Sequence, residues 1–176
     1  MKKLNRKGFT LVELLAVIII LAIVVGITIP AITNIINDSK NNSLGVAVDA
    51  AEKYLSDQYS FMQLDAANVQ SDFSTWINAT TPTSGKYSAT LTGGASGADK
   101  GIIEAMGFKL ENVEEVKFTI SATGVACVTV TKIPTTSEYY STKYFNAPAK
   151  GTTYATPKTA TDVPDYYSRS CTSVLS

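Results

Sequence analysis

The sequence predicts an α+β protein: a long N-terminal helix, its first half apolar enough to span a membrane and its second half amphipathic, followed by a small antiparallel sheet. Three observations predict it. From Phe9 to Ile32 the only polar side chains are Thr10, Glu13 and Thr28. A helical apolar period then runs through Leu44, Ala47, Val48, Ala51, Leu55 and Met62. Beyond Lys86, three segments alternate apolar and polar residues as half-buried strands do. Helix first and antiparallel strands after is the order of a head on a helical stalk, and 45% apolar with 17% charged residues over 176 positions suits a folded chain.

The apolar segment comes first. Leu14 to Ile32 contains no charge, close to the roughly 20 residues a helix needs to cross the hydrocarbon of a bilayer. Lys2, Lys3, Arg6 and Lys7 precede it and should hold the N-terminal side in the cytoplasm, so that everything after Ser39 lies outside. The 15 cations balance the 15 anions overall, and that cationic start leaves an acidic excess of four on the remainder. No basic face for nucleic acid is expected. Histidine is absent, which removes imidazole acid–base catalysis, Ser/His and Cys/His nucleophile pairs and zinc sites that need imidazole. The chain is not expected to be an enzyme, nor to hold a metal or cofactor.

A secretory signal peptide also has a basic start and an apolar core, but its small-x-small cleavage site is missing: Ile27-Thr28-Ile29-Pro30 stands there instead. A plain single-pass anchor leaves Glu13 unexplained, because a carboxylate in a membrane helix is costly and usually has a partner or a purpose.

The residues Gly8-Phe9-Thr10-Leu11-Val12-Glu13, behind a short basic leader and ahead of an unbroken apolar run, closely resemble the class III signal of type IV prepilins. The match is specific over about the first 35 residues and architectural beyond them. The resemblance implies that residues 1–8 are a leader and that prepilin peptidase cuts between Gly8 and Phe9 and methylates the new amine on Phe9. It further implies a stalk helix over residues 9–61, with 9–32 in the membrane or filament core, and an extracellular head over 62–176. The partners it implies are other pilin subunits in a homopolymer, prepilin peptidase, the cytoplasmic membrane and the pilus assembly machinery. The subunit would begin in that membrane and end in a pilus on the cell surface.

Physical reasons support these roles. Glycine offers no side chain to clash in a peptidase site close to the membrane surface. The amine of Phe9 on an incoming subunit can meet Glu13 of one already in place, and such a buried pair sets register more than it adds stability. The bland reading of Glu13 is an incidental polar residue near a helix end. Pro30 cannot donate to the carbonyl of Gly26, so a kink or melted stretch is expected between them; the bland reading is the ordinary tolerance of membrane helices for both residue types.

The rest of the chain reads as follows. After a polar stretch at Asn37–Ser43 the helix continues to about Phe61, seating a sheet on its apolar stripe. A second helix is expected between Asp65 and Ile77, and a third from Asp99 to Met106, with Asp99 as its cap and Gly107 at its stop. Strands are expected through Tyr87, Ala89 and Leu91, through Val116, Phe118 and Ile120, and through Ala126, Val128 and Val130, the last two joined by a hairpin at Ala122-Thr123-Gly124. Thr80 to Lys100 and Pro134 to Pro164 read as long loops or irregular edge strands.

Cys127 and Cys171, on the exported side, favour a disulfide, and in the resembled family a similar bond closes a loop near the C-terminus. Asn41-Asn42-Ser43 and Asn78-Ala79-Thr80 match the glycosylation sequon, a pattern that also occurs by chance. Glu111, Glu114 and Glu115 could form a carboxylate site, but a solvated face explains them better. The tyrosines at 139, 140, 144, 154, 166 and 167 fit either a contact surface or packing of loops onto a sheet.

The function these residues favour is a structural subunit that polymerises into a surface filament for adhesion, motility or related functions. The alternatives are a competence or type II secretion pseudopilin and a membrane-anchored adhesin that never polymerises. An extracytoplasmic enzyme lacks its catalytic constellation, and the end of the chain carries no hydrophobic tail with basic residues for sortase attachment.

Overall fold

The computed structural model describes residues 9–64, 73, 77, 82–83, 85–93, 99–159, 164 and 171. Helix α1 spans Leu11–Leu64, three residues past the expected end at Phe61, with Pro30 inside it. Contact density divides the chain into a unit ending at Ser39 and a compact unit from Lys40 to Ser176.

In the first unit, large apolar side chains from Leu11 to Ile36 stand at least 49% exposed. None of the described residues covers them, and a helix apolar on every face is the pattern of a membrane span. In the second unit the same helix is amphipathic, and Leu44, Val48, Ala51, Leu55 and Tyr59 are buried along one stripe. Their spacing of three and four residues keeps them on one side of a 3.6-residue helix.

That stripe shares a core with a four-stranded antiparallel sheet in the order β1-β2-β3-β4: Tyr87–Thr92, Glu115–Ile120, Ala126–Pro134 and Tyr154–Ala155. The three expected strands are present, and two-residue β4 is the irregular edge of the expected loop region. Val116 faces Val130, Phe118 faces Val128 and Ile120 faces Ala126. These six form the core face and are all buried. The alternating threonines led us to expect a wet opposite face, yet Thr119, Cys127 and Thr129 are buried as well. They are satisfied in a polar layer, where Ser88 Oγ and Thr119 Oγ1 lie 2.9 Å apart.

The β2–β3 hairpin closes through Ser121, whose amide donates to the carbonyl of Val125, while Gly124 at φ 84° returns its amide to Ser121. Only glycine suits this point. The conformation is left-handed, and a Cβ would lie 3.0 Å from the Tyr59 ring.

Helix α2 spans Lys100–Ala105. Gly107 ends it as expected: at φ 92° it donates to Glu104, while Phe108 reaches back to Ile103, the paired bonds of a Schellman motif. Asp99 corrects the sequence reading. Its side chain makes no capping bond; Oδ2 instead accepts from the amide of Thr92, at the end of β1. Of the helix expected over Asp65–Ile77, Phe73 and Ile77 are helical and buried, and the other positions lie outside the described residues.

Candidate assembly site

The site begins at the first described residue, Phe9, which is 91% exposed. Gly8 and the four leader cations lie outside the described residues. Thr10 stands one position before α1, and its carbonyl accepts the first helical bond, from Leu14. Its hydroxyl accepts from the amide of Glu13 at 3.3 Å. In return Glu13 Oε2 accepts from the Thr10 amide and from the Thr10 hydroxyl, both at 2.8 Å. This is a capping box, in which N-cap and third helical residue satisfy each other's backbone donors. The pattern Thr-x-x-Glu was visible at Thr10-Leu11-Val12-Glu13, but reading those residues only as part of a signal hid it. Glu13 therefore has a partner within its own helix. Both bonds fall on Oε2, and Oε1 accepts none from the described residues.

Downstream, α1 continues through Gly26 and Pro30 without leaving helical conformation. The proline still denies the Gly26 carbonyl its usual donor, and among the described residues, its own helical backbone aside, none lies within 4 Å of where a Gly26 side chain would begin. One turn on, Thr33 folds its hydroxyl back onto the carbonyl of Ile29 at 2.9 Å, which satisfies the hydroxyl within its own helix. Among the described residues, α1 is the one helix long and apolar enough to cross a membrane.

In the second unit Cys127 and Cys171 are joined as a disulfide, their Cα atoms 5.5 Å apart. Cys171 Sγ lies 3.5 Å from Thr129 Oγ1, over the polar layer of the sheet. The three glutamates do not converge on a site. Glu115 is occupied: a bulge between Glu115 and Val116 sets Thr131 and Lys132 beside one carboxylate. Thr131 donates to Oε1 at 2.7 Å and Lys132 to Oε2 at 2.6 Å. Burial opposes the charge on Glu115, but hydrogen bonds from Lys132 and Thr131 outweigh it and hold the carboxyl below its ordinary range. Among the described residues no group of three or more His, Cys, Asp or Glu could hold a metal. Tyr139 and Tyr144 are buried and pack in the core, whereas Tyr166 and Tyr167 lie outside the described residues. Asn41 of the first sequon is half-buried on α1; Asn78 of the second lies outside the described residues.

Sequence reasoning also missed how α1 holds the sheet. Val128 donates its amide to Glu52 Oε1 at 2.8 Å, and Ala126 donates to Ser56 Oγ at 3.1 Å. Four helical residues rise about 6 Å and two strand residues about 6.8 Å. The near match lets successive turns of α1 serve alternate amides of β3, the side of the strand turned away from β2. Farther along, Tyr59 donates to the Ala122 carbonyl at 3.4 Å.

Residues 3–29 match the family model of the prokaryotic N-terminal methylation motif. No curated protein and no solved structure matches the chain. The motif implies processing by prepilin peptidase, and together with the apolar helix it fits a membrane-anchored precursor. The family it marks is structural. The signal at its start is of the class III type typical of type IV pilins, and a long N-terminal helix whose second half packs on a small antiparallel sheet gives the α+β layout that fits a type IV pilin-like or pseudopilin protein.

Proposed function

We propose that this chain is a subunit of a type IV pilus, cut between Gly8 and Phe9, methylated on Phe9, and polymerised through α1 into an extracellular filament. Residues 1–8 are the leader, 9–61 the stalk and 62–176 the displayed head. The carrying observation is the methylation motif at residues 3–29 with Glu13 inside it. In a filament core the Phe9 amine of one copy would meet Glu13 of another, and Gly26 and Pro30 give the helix a place to unwind under packing. Partners are other pilin subunits, prepilin peptidase and the assembly machinery of the cytoplasmic membrane.

The capping box supports a second reading, because it accounts for Glu13 without any neighbour: an anchored adhesin that never polymerises. Glu13→Ala separates the two. Removing a charge leaves membrane insertion intact, but an incoming amine would enter apolar surroundings unpaired, at about 3–5 kcal/mol by analogy with broken buried pairs. Incorporation should fall by roughly a hundredfold to several-thousandfold, read as subunit in sheared filaments against subunit in membranes. Equal incorporation of parent and variant would refute polymerisation through this contact.

A further inference from the structure

We infer that Thr10 is the positioning residue for Glu13, an inference that rests on the polymerising reading above. A glutamate at the third position of a helix has three rotatable bonds, and without restraint its carboxylate would sample many directions. Thr10 removes most of that freedom. Its hydroxyl and its amide both donate to Oε2 at 2.8 Å, and the same hydroxyl accepts from the Glu13 amide. The carboxylate is thus held by one oxygen against the start of its own helix. Oε1, which accepts from none of the described residues, is left as the acceptor for a second cationic donor. That donor is the N-terminal amine of another copy.

The arrangement does two things for assembly. It supplies hydrogen bonds to the carboxylate while the subunit waits without a partner, when an unsatisfied charge beside hydrocarbon is penalised most. It also fixes where the charge sits, so that an incoming amine meets an oriented acceptor and less side-chain freedom is lost on docking. Because cleavage at Gly8-Phe9 leaves the amide of Thr10 in place, the capping box survives processing. Each of its atoms belongs to the mature chain.

The test is a double-mutant cycle in the full chain, with incorporation read as the ratio of subunit in sheared filaments to subunit in membranes. Intact mass restricts the count to protein cut after Gly8. Thr10→Val and Thr10→Ala remove the hydroxyl and keep the backbone donor, and each should lower incorporation about tenfold, equivalent to ~1.4 kcal/mol. Thr10→Ser restores the hydroxyl and should recover the parental ratio to within about twofold, which a loss of shape alone would not allow. Combined with Glu13→Ala, Thr10→Val should add no further loss, since a positioning residue has nothing left to position. Parental incorporation by Thr10→Val beside a failing Glu13→Ala would overturn the role of Thr10 and leave the polymerising reading standing. Parental incorporation by Glu13→Ala would remove the reading itself. A full additional loss in the double variant, or failure of Thr10→Ser to recover, would show that Thr10 acts otherwise than through Glu13. Uncut protein from both Thr10→Val and Thr10→Ala would assign Thr10 to processing and overturn the proposal as well.

Discussion

Glu52→Ala should destabilise the head more than an ordinary surface substitution on a helix, and the structure sets the size. Glu52 Oε1 accepts the amide of Val128, a residue with no exposed surface. Removing the side chain deletes a hydrogen bond from a charged acceptor to a buried donor, which costs about 1–3 kcal/mol. Ser56 cannot take over, because its oxygen already serves Ala126, about 6.8 Å along the strand. For the compact unit Lys40–Ser176, an unfolding entropy of about 2.1 cal/mol/K per residue amounts to roughly 0.3 kcal/mol/K. The variant should therefore unfold about 3–10 °C below its parent. The assay is thermal unfolding of that unit as a soluble fragment, with Glu52→Gln beside it. The amide keeps an acceptor oxygen and loses only the charge, so Glu52→Gln should fall between parent and Glu52→Ala. A Glu52→Ala transition within about 1 °C of the parent would refute the claim that α1 secures β3 through this bond.

Other predictions concern the same unit. Replacing Cys127 and Cys171 by serine opens a loop of 44 residues and should cost about 4 kcal/mol on the chain-entropy estimate; unfolding with and without reductant reads it, and equal stability would contradict a structural role. The folded carboxyl of Glu115 sits below its ordinary range, so its contribution is fully present above the unfolded carboxylate pKa and is lost as pH falls through the folded value. Glu115→Gln should flatten that acid limb of stability, and an unchanged limb would count against the pair with Lys132. Gly124→Ala places a Cβ at φ 84° and 3.0 Å from Tyr59 and should cost about 1–3 kcal/mol; a denaturation midpoint equal to the parent's would show that the hairpin relaxes freely.

Where periodicity is local, the sequence told most of the fold. Leu44, Val48, Ala51 and Leu55 announce a stripe because helix geometry repeats every 3.6 residues, and Val116, Phe118 and Ile120 announce a strand for the corresponding reason. Gly124 and Gly107 mark turns because few other residues take positive φ. What stayed hidden depends on residues far apart in the chain. Thr119 and Thr129 look like solvent-facing positions until Ser88 of β1 is paired beside Thr119 and Cys171 is bonded in next to Thr129. Nothing near Glu52 indicates that its carboxylate serves an amide 76 positions away. Asp99 shows the limit of local rules: it occupies a capping position but binds β1 instead. At the assembly site the signal was legible and its geometry only half so. Gly8, Phe9 and Glu13 stand out by type and order, whereas the Thr10–Glu13 pairing needed the capping pattern to be recognised inside a segment already read for another purpose.

The central claim is that a subunit cut at Gly8-Phe9 enters a surface filament, and the intact mass of the protein in sheared filaments tests it most directly. We predict one species beginning at Phe9, carrying one methyl group on its amine and two cysteines joined as a disulfide. Full-length chain beginning at Met1, or no subunit in the sheared fraction while the membranes hold it in quantity, would contradict the account.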